Sequence, residues 1–328
     1  MSDTQRYSRQ TRLPDIGEDG QQRLGAARVL VVGVGGLGLP AAAYLAGAGV
    51  GHITLVDHDV VELHNLHRQV FYREEDIGAA KVAAAARHLR GLNSAISITA
   101  CRERLRDANV ATLVAEHDLV LDTADNFTVT YLLSDSCLAA GKQLVYAALL
   151  GQRGQLGVFC GTAPSYRAVF PEVPAAAGNC ESNGVLGTAV GALGAMQAQE
   201  AIKLLVASRS ALTGKLLTVD FWHNRFATLD FQGAAEPGAC TRIPLLASVD
   251  LRSTDQLVDV RSDPERATDA VEGALHLPGY LGDPAYRELL PQAGRLVFFC
   301  ASGVRAQVAA RRCAELHPGA EVAVLLRD

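Results

Sequence analysis

The sequence predicts an α/β protein: a doubly wound, mainly parallel sheet with an antiparallel extension, followed by a second, smaller α/β domain. Three observations carry that expectation. Short apolar runs alternate with helical stretches in units of the length that builds a parallel sheet. The runs are continuously apolar rather than alternating, as in strands covered on both faces. The first of them, Arg28-Val29-Leu30-Val31-Val32, leads into Gly33-Val34-Gly35-Gly36-Leu37-Gly38, a glycine turn that opens a helix.

In chain order, Val29–Val32 reads as a strand, Leu37–Ala48 as a helix, and His52–Val56 as a second strand ending in Asp57. Lys81–Leu89 reads as a helix, Ile96–Ala100 as a strand, Asn109–Glu116 as a short helix, and Leu119–Leu121 as a strand ending in Asp122. Asn126–Ala140 and Leu144–Ala147 add a helix and a strand. After Gly151 the pattern changes: Gly154–Cys160 and Lys215–Asp220 read as strands. Gly187–Leu205 reads as a long helix whose Ala and Gly residues permit close helix or subunit contact. Trp222-His223 follows a strand and reads as packing. Gly, Pro and Ala then cluster around Pro237-Gly238 and Pro244, which places a linker at 233–247 between domains at 1–232 and 248–328. Leu257–Val260, Leu275–Leu277, Arg295–Phe299 and Glu321–Leu326 are the expected strands of the second domain.

At 328 residues the chain can bury two cores, and its net charge of −5 gives no sign of a nucleic-acid or anionic-membrane partner. Met1–Arg6 lacks the apolar core of a signal peptide, and the greasiest stretches, Leu37–Gly51 and Gly184–Met196, are too short and glycine-rich to span a bilayer. Seven cysteines, odd in number and without a framework, fit a reducing compartment better than a disulfide scaffold. The expectation is a cytoplasmic protein.

The glycine turn lets backbone N–H groups approach phosphate oxygens at a helix N-terminus, which favours negative charge. By itself it does not separate a dinucleotide from ATP. The residues that follow favour ATP. Val56-Asp57-His58-Asp59 ends the second strand, with Asp57 placed to accept ribose hydroxyls. Asn65-Leu66-His67-Arg68-Gln69 and Lys81 supply the charges that a reacting triphosphate requires and a hydride transfer does not. Leu121-Asp122-Thr123-Ala124-Asp125-Asn126 brings carboxylates to a strand's C-terminal end, suited to Mg²⁺. The candidate nucleotide-binding residues are Gly33, Gly35, Gly36, Gly38, Asp57, Asp59, Asn65, Arg68, Gln69, Lys81, Asp125 and Asn126.

These motifs, together with Arg6-Tyr7-Ser8-Arg9-Gln10 and Asn179-Cys180-Glu181-Ser182-Asn183-Gly184-Val185-Leu186-Gly187, fall in the order found in one family. From Arg6 to Gln232 the chain resembles the ubiquitin-activating superfamily, specifically its MoeB/ThiF/HesA-type sulfur-carrier adenylyltransferases, with a Rossmann-like sheet. The resemblance implies that Asp57 and Asn65 bind the nucleotide, that Arg68 and Lys81 contact its phosphates, and that Asp125 holds Mg²⁺. It implies that Arg9 reaches into the partner protomer's site of a homodimer. The implied substrate is a small ubiquitin-like carrier ending in Gly-Gly, whose carboxylate attacks the α-phosphate of ATP to give an acyl-adenylate and pyrophosphate. An already ionised carboxylate needs alignment and charge neutralisation more than a base.

The same resemblance implies a structural zinc held by two Cys-x-x-Cys pairs, but here Ser165 and Ala168 stand at the first pair and only Cys240 remains near the second. No Cys-x-x-Cys occurs in the chain, and four thiolate-type ligands cannot be assembled, so no zinc is expected.

Cys300-Ala301-Ser302-Gly303-Val304-Arg305 follows the strand at Leu296–Phe299. Backbone N–H groups, the following helix N-terminus and Arg305 would stabilise a thiolate or persulfide there. With Val258-Asp259-Val260-Arg261 and Ala270–Pro278, this stretch resembles a rhodanese domain, which implies that Cys300 carries a sulfane sulfur from a donor such as a cysteine desulfurase. Ala301 departs from the cationic residue common in adenylyltransferase-linked rhodaneses. The sequence also ends at Asp328, before the closing turn and helix usual in such domains. Cys180 lies in a run suited to a mobile loop, and the resemblance allows it a covalent role with the carrier. Cys101, Cys137, Cys160 and Cys313 read as core.

The leading expectation is therefore adenylation followed by sulfur transfer to give a thiocarboxylate. Alternatives are adenylation of a peptide or tRNA-base carboxylate, a weakly catalytic docking module for a ubiquitin-like partner, and an oxidoreductase using NAD. The rhodanese-like stretch argues against the first, the intact phosphate-binding residues against the second, and Arg68, Lys81 and Asp125 against the third.

Overall fold

The computed structural model describes residues 3–171, 184–207, 210–237, 243–278, 294–301 and 303–326. Its first part runs α1 (Asp3–Arg6), α2 (Gly17–Ala26), β1 (Arg28–Val32), α3 (Gly38–Ala48), β2 (His52–Val56), α4 (Lys81–Leu92) and β3 (Ser97–Cys101). It continues with α5 (Asp107–Ala115), β4 (Leu119–Asp122), α6 (Phe127–Ala140), β5 (Gln143–Leu150), β6 (Arg153–Cys160) and α7 (Tyr166–Val169). α8 (Gly187–Ala207), β7 (Lys215–Asp220) and β8 (Arg225–Asp230) close it. The eight strands form one sheet in the order β3-β2-β1-β4-β5-β6-β7-β8. Pairing is parallel from β3 through β5 and antiparallel from β5 to β8, which is the doubly wound core with its antiparallel extension.

β9 (Leu245–Leu246), β10 (Gln256–Asp259), α9 (Asp263–Thr268), β11 (Leu275–His276), β12 (Arg295–Phe299), α10 (Val304–Leu316) and β13 (Glu321–Leu325) make a second, all-parallel sheet in the order β11-β10-β12-β13-β9. Leu245–Leu246 lies inside the stretch expected as a linker. Its apolar run instead pairs with β13, and Ile243, Leu245 and Leu246 are buried. Every residue of β8 is exposed, so no buried alternation marked it in the sequence. Trp222, read as packing, is 66% exposed in the β7–β8 turn, where His223 pairs with Asp220.

One apolar cluster packs α2, α3, α4 and α8 on one face of the large sheet. The cluster on the other face begins at Leu30 and Tyr131 and runs without a break into Val258, Phe298 and Ala306 of the second sheet. Arg106 adds a forked ion pair to Asp250 (3.1 and 3.0 Å), and Arg311 donates to Pro171 O (2.6 Å). Burial of shared apolar surface, rather than a tether, holds the second sheet against α6. Among the described residues no helix is long and apolar enough to cross a membrane.

Ser165 caps α7 by accepting from Ala168 N (3.2 Å), and it is fully buried. Its N–H and Oγ–H both donate to the Glu236 carboxylate, at 2.7 and 2.6 Å, so the chain after β8 is clamped to the start of α7. The first of the two positions expected for a zinc pair carries other chemistry. Ala168 offers no side-chain donor, and the hydroxyl and carboxylate that are present satisfy each other, while Cys240 lies outside the described residues. Glu236→Ala would leave the buried Ser165 donors unpaired and is expected to lower unfolding free energy by about 1–3 kcal/mol in urea titrations. Ser165→Ala/Glu236→Ala together should cost less than the sum of the two single changes.

Candidate functional site

Strand order reverses between β1 and β4, and in an open α/β sheet the crevice outside the carboxyl ends of the strands at such a point is where ligands bind. Both signature loops meet there, Gly33–Gly38 leaving β1 and Asp122–Asn126 leaving β4. Thr123 Oγ1 lies 2.7 Å from Val32 O and 2.5 Å from Gly33 O, one hydroxyl hydrogen shared between two carbonyls that ties the loops together. The approach is so close that glycine is required. Gly33 has φ +92°, and a Cβ on Gly38 would overlap Gly33 O and crowd Thr123 Oγ1. Gly36 and Gly35 sit against Val190 of α8 and the Gln69 amide.

Asp57 braces the loop from the end of β2: Oδ2 accepts from Val34 N (2.8 Å) and Oδ1 from Asp59 N (2.9 Å). Each oxygen keeps a second lone pair for a hydroxyl. Lys81 is buried, with Nζ on Asp59 Oδ2 at 2.8 Å. Burial alone would raise the Asp59 carboxyl, but the hydrogen bond and charge of Lys81 outweigh it and hold it below the usual range. Asp57, His58 and Asp59 could together offer ligand atoms to a metal ion, yet each carboxylate is already engaged by backbone or Lys81. Asn65 is buried and accepts from Glu62 N (3.2 Å). Arg68 stays partly exposed, donating Nη1 to His64 O at 3.1 Å. Gln69 is buried beside Gly35, and its Oε1 has no partner among the described residues. An unpaired acceptor beside a glycine cradle fits a ligand that donates a hydrogen bond, such as a nucleotide's hydroxyl or amino group, while the cradle's N–H groups suit its phosphates.

Asp125 is exposed and precedes Asn126, whose side chain accepts from Thr128 N (2.8 Å) and caps α6. Asp122 is fully buried; burial pushes its carboxyl up to about 7, opposed by hydrogen bonds from Thr130 and Ala124 N and reinforced by Asp125. Gln197 of α8 donates to Asp122 O (2.8 Å) and Val145 O (2.9 Å), fixing β4 to β5. Tyr72 donates to Val34 O (2.7 Å) and lies 3.2 Å from Lys81 O, joining the glycine loop to α4. Thr123, Gln197 and Tyr72 escaped sequence reasoning because each is a lone side chain acting on distant backbone, although Tyr72 sits three residues past Gln69. Arg9 is exposed between α1 and α2 and makes no hydrogen bond to this cluster among the described residues. Cys180 lies outside the described residues.

The second site is at the end of β12. Cys300 is 1% exposed, and Gly303, with φ +81°, starts α10. Arg305 in the first turn of α10 lies near enough to Cys300 to interact with it electrostatically, and it grips Glu265 of α9, Nη1 to Oε2 at 2.8 Å and Nη2 to Oε1 at 2.5 Å. Glu265 is held far below the usual carboxylate range by that guanidinium, against the opposing effect of burial. Asp259 and Arg261 form a buried fork (2.9 and 2.8 Å), with the guanidinium 5.3 Å from the Phe299 ring centroid. Ser302 lies outside the described residues, so the expected curl of N–H groups around the sulfur is described only in part. Cys137, Cys160 and Cys313 are buried as expected, and Cys101 is partly buried.

A glycine cradle with arginine, lysine and carboxylates at a sheet's switch point defines a nucleotide-handling α/β protein. The ThiF family model matches residues 7–241, and the chain belongs to that family. It is 40% identical over 313 residues to the Bos taurus "Adenylyltransferase and sulfurtransferase MOCS3", covering 83% of this chain and 69% of that protein. It is 41% identical over 276 residues to the protein of that name from Culex quinquefasciatus, covering 80% and 63%. It is 42% identical over 237 residues to the "SAMP-activating enzyme E1" of Haloferax volcanii, covering 72% and 88%. The chain thus spans between half and about two-thirds of the MOCS3 proteins it matches. Solved structures of E. coli MccB share the fold: one with MccA-N7isoASN has TM-score 0.63 at 22% identity, with 74% of each chain covered. One with ATP has TM-score 0.62 at 22% identity, covering 72% of this chain and 73% of that one.

Asp122 gives a pH signature. Its folded-state carboxyl is raised to about 7, so the folded chain holds a proton that the unfolded chain has released, and stability falls as pH rises from about 4 to about 7. Asp122→Asn removes that dependence. Relative to wild type, its unfolding free energy should improve by about 2 kcal/mol between pH 5 and pH 8 in urea titrations.

Proposed function

We propose that the chain uses ATP to adenylate the C-terminal Gly-Gly carboxylate of a small ubiquitin-like sulfur carrier, and then transfers sulfur through a Cys300 persulfide to give a thiocarboxylate. The observation that carries the reading is one core joining two chemistries: a cation-bearing glycine cradle at the β1–β4 switch point and a strand-end cysteine beside Arg305. The names of the MOCS3 and SAMP-activating relatives agree with it.

In this reading residues 1–232 adenylate and the second sheet, with β9 counted in it, handles sulfur. Backbone N–H groups of Gly33–Gly38 and the α3 N-terminus receive phosphate oxygens, and Asp57 and Asn65 receive the ribose. Lys81 can keep Asp59 on one N–H and offer another to a phosphate, because an ammonium has three donors. Arg68 balances charge as the carrier's carboxylate oxygen bonds to the α-phosphorus and the bond to pyrophosphate breaks. Asp125, exposed at the crevice, would hold Mg²⁺, whose chemistry is neutralising phosphate charge. The terminal sulfur of the Cys300 persulfide then attacks the acyl carbon and AMP leaves. A second thiol, for which Cys180 is this chain's candidate, attacks the Cys300 sulfur of the resulting acyl disulfide. Thiocarboxylate is released and a disulfide remains, which a cellular thiol reduces. A cysteine desulfurase is the class of donor, Arg9 acts across a homodimer, and a reducing cytoplasm suits both thiols.

Measuring ATP–pyrophosphate exchange with a panel of Gly-Gly-ending carriers tests the first half. Exchange should depend on one carrier and fall about 100-fold or more in Asp125→Ala; exchange indifferent to every carrier would displace this reading in favour of another carboxylate or a docking role. Cys300→Ala should keep exchange yet yield no thiocarboxylate from a persulfide donor, as read by mass spectrometry of the carrier.

A further inference from the structure

Two guanidiniums on the described side of the sulfur site, Arg261 and Arg305, are already paired. Arg261 is locked in the fork with Asp259 and also faces Asp269 at 3.5 Å. Arg305, the guanidinium that reaches Cys300, is gripped at both Nη atoms by Glu265. Glu265 is itself aimed: Ser262 N and Oγ donate to its Oε2 at 2.9 and 2.7 Å, fixing the carboxylate before the guanidinium meets it. The loop positions Ala301 and Ser302 bring no charge of their own.

We propose that Glu265 is a specificity-determining residue: by holding Arg305 in a two-bond fork it withholds that cation from an incoming donor, so the Cys300 thiol takes sulfur from a low-charge persulfide in preference to a dianion such as thiosulfate. The inference rests on the sulfurtransferase reading above and names its donor class. With a persulfide, the Cys300 thiolate attacks the outer sulfur of R–S–SH, the S–S bond breaks, Cys300–S–SH forms and RS⁻ departs. With thiosulfate the same attack breaks the S–S bond to release sulfite, and two negative charges must come up to a rim where Arg305 already faces a carboxylate. An open guanidinium would welcome that dianion through a forked pair, as guanidiniums do for phosphate and sulfate-like oxygens. Here the fork is filled from within the chain.

Two measurements on the full chain test this at fixed ionic strength. The first compares kcat/KM for sulfur transfer to cyanide from thiosulfate and from the hydropersulfide of 2-mercaptoethanol. Glu265→Gln should raise the thiosulfate-to-persulfide ratio about ten-fold, chiefly through a lower KM for thiosulfate. The second compares alkylation of Cys300 by anionic iodoacetate and neutral iodoacetamide, read on the Cys300 peptide. That ratio too should rise about ten-fold in Glu265→Gln. If the persulfide turns over normally and both ratios stay where wild type has them, the role of Glu265 is overturned and the sulfurtransferase reading stands. If wild type transfers sulfur from neither donor, that reading falls and the donor preference falls with it.

Discussion

Thr123 Oγ1, placed between Val32 O and Gly33 O, closes β1 against β4 where the strand order reverses, and the remaining geometry of the crevice depends on that closure. A sheet that winds in two directions must leave a gap where the helices diverge. The gap becomes a site only if the two loops flanking it are held in register. The threonine hydroxyl supplies that register, and glycine at 33 and 38 makes room for it. Asp57 and Tyr72 then hold the same loop from β2 and from the segment before α4, both through the main chain of Val34. The glycine loop is thus preorganised by hydrogen bonds to its own backbone, so a ligand finds its N–H groups already aligned.

α6 carries this order to the second sheet. Its N-terminal turn follows Asp125 and is capped by Asn126, so it faces the crevice. Two residues past that cap, Thr128 lies against the position that a Cβ of Gly303 would occupy. Its later turns hold α7, with Tyr166 N donating to Ser134 Oγ (2.9 Å) and Arg167 forked on Asp135 (2.8 and 3.0 Å). One rigid helix therefore borders the nucleotide crevice, the loop after Cys300 and the clamp at Ser165. The apolar cluster that spans both sheets is the physical reason the two sites keep one relation to each other rather than floating on a linker.

Most of the parallel sheet was legible because its strands are continuous apolar runs punctuated by glycine or aspartate, and burial on both faces writes that pattern directly. What stayed hidden has specific causes. β8 is exposed along its whole length and carries no alternation. Leu245–Leu246 is only a two-residue strand, set in a Pro- and Gly-rich stretch whose composition reads as linker. Trp222 looked like packing because large aromatics usually are, yet a β-turn carries it outward. At the crevice, the glycine loop and the Lys81–Asp59 contact arise from local motifs that a sequence displays. The contacts of Thr123, Tyr72 and Gln197 do not, because their partners are main-chain atoms up to 91 positions away.

The ion pairs show which cations are structural and which are available. Arg261 and Asp259 have side chains 5% and 1% exposed, so neither can trade its partner for a ligand without leaving the other buried and uncompensated. That pair is architecture. In Lys81–Asp59 the lysine is 9% exposed and the aspartate 49%, an asymmetric arrangement in which the carboxylate can turn to water while the ammonium stays fixed toward the crevice. Burial keeps the cation in place, and exposure of its partner keeps the contact exchangeable. Arg305–Glu265 is open on both sides, at 41% and 36%, so its persistence depends on the fork and on Ser262 rather than on exclusion of water. The three pairs thus differ in how readily their cations can turn to a ligand: burial of both partners fixes Arg261, exposure of Asp59 leaves Lys81 free to exchange, and the two-bond fork with its Ser262 support holds Arg305.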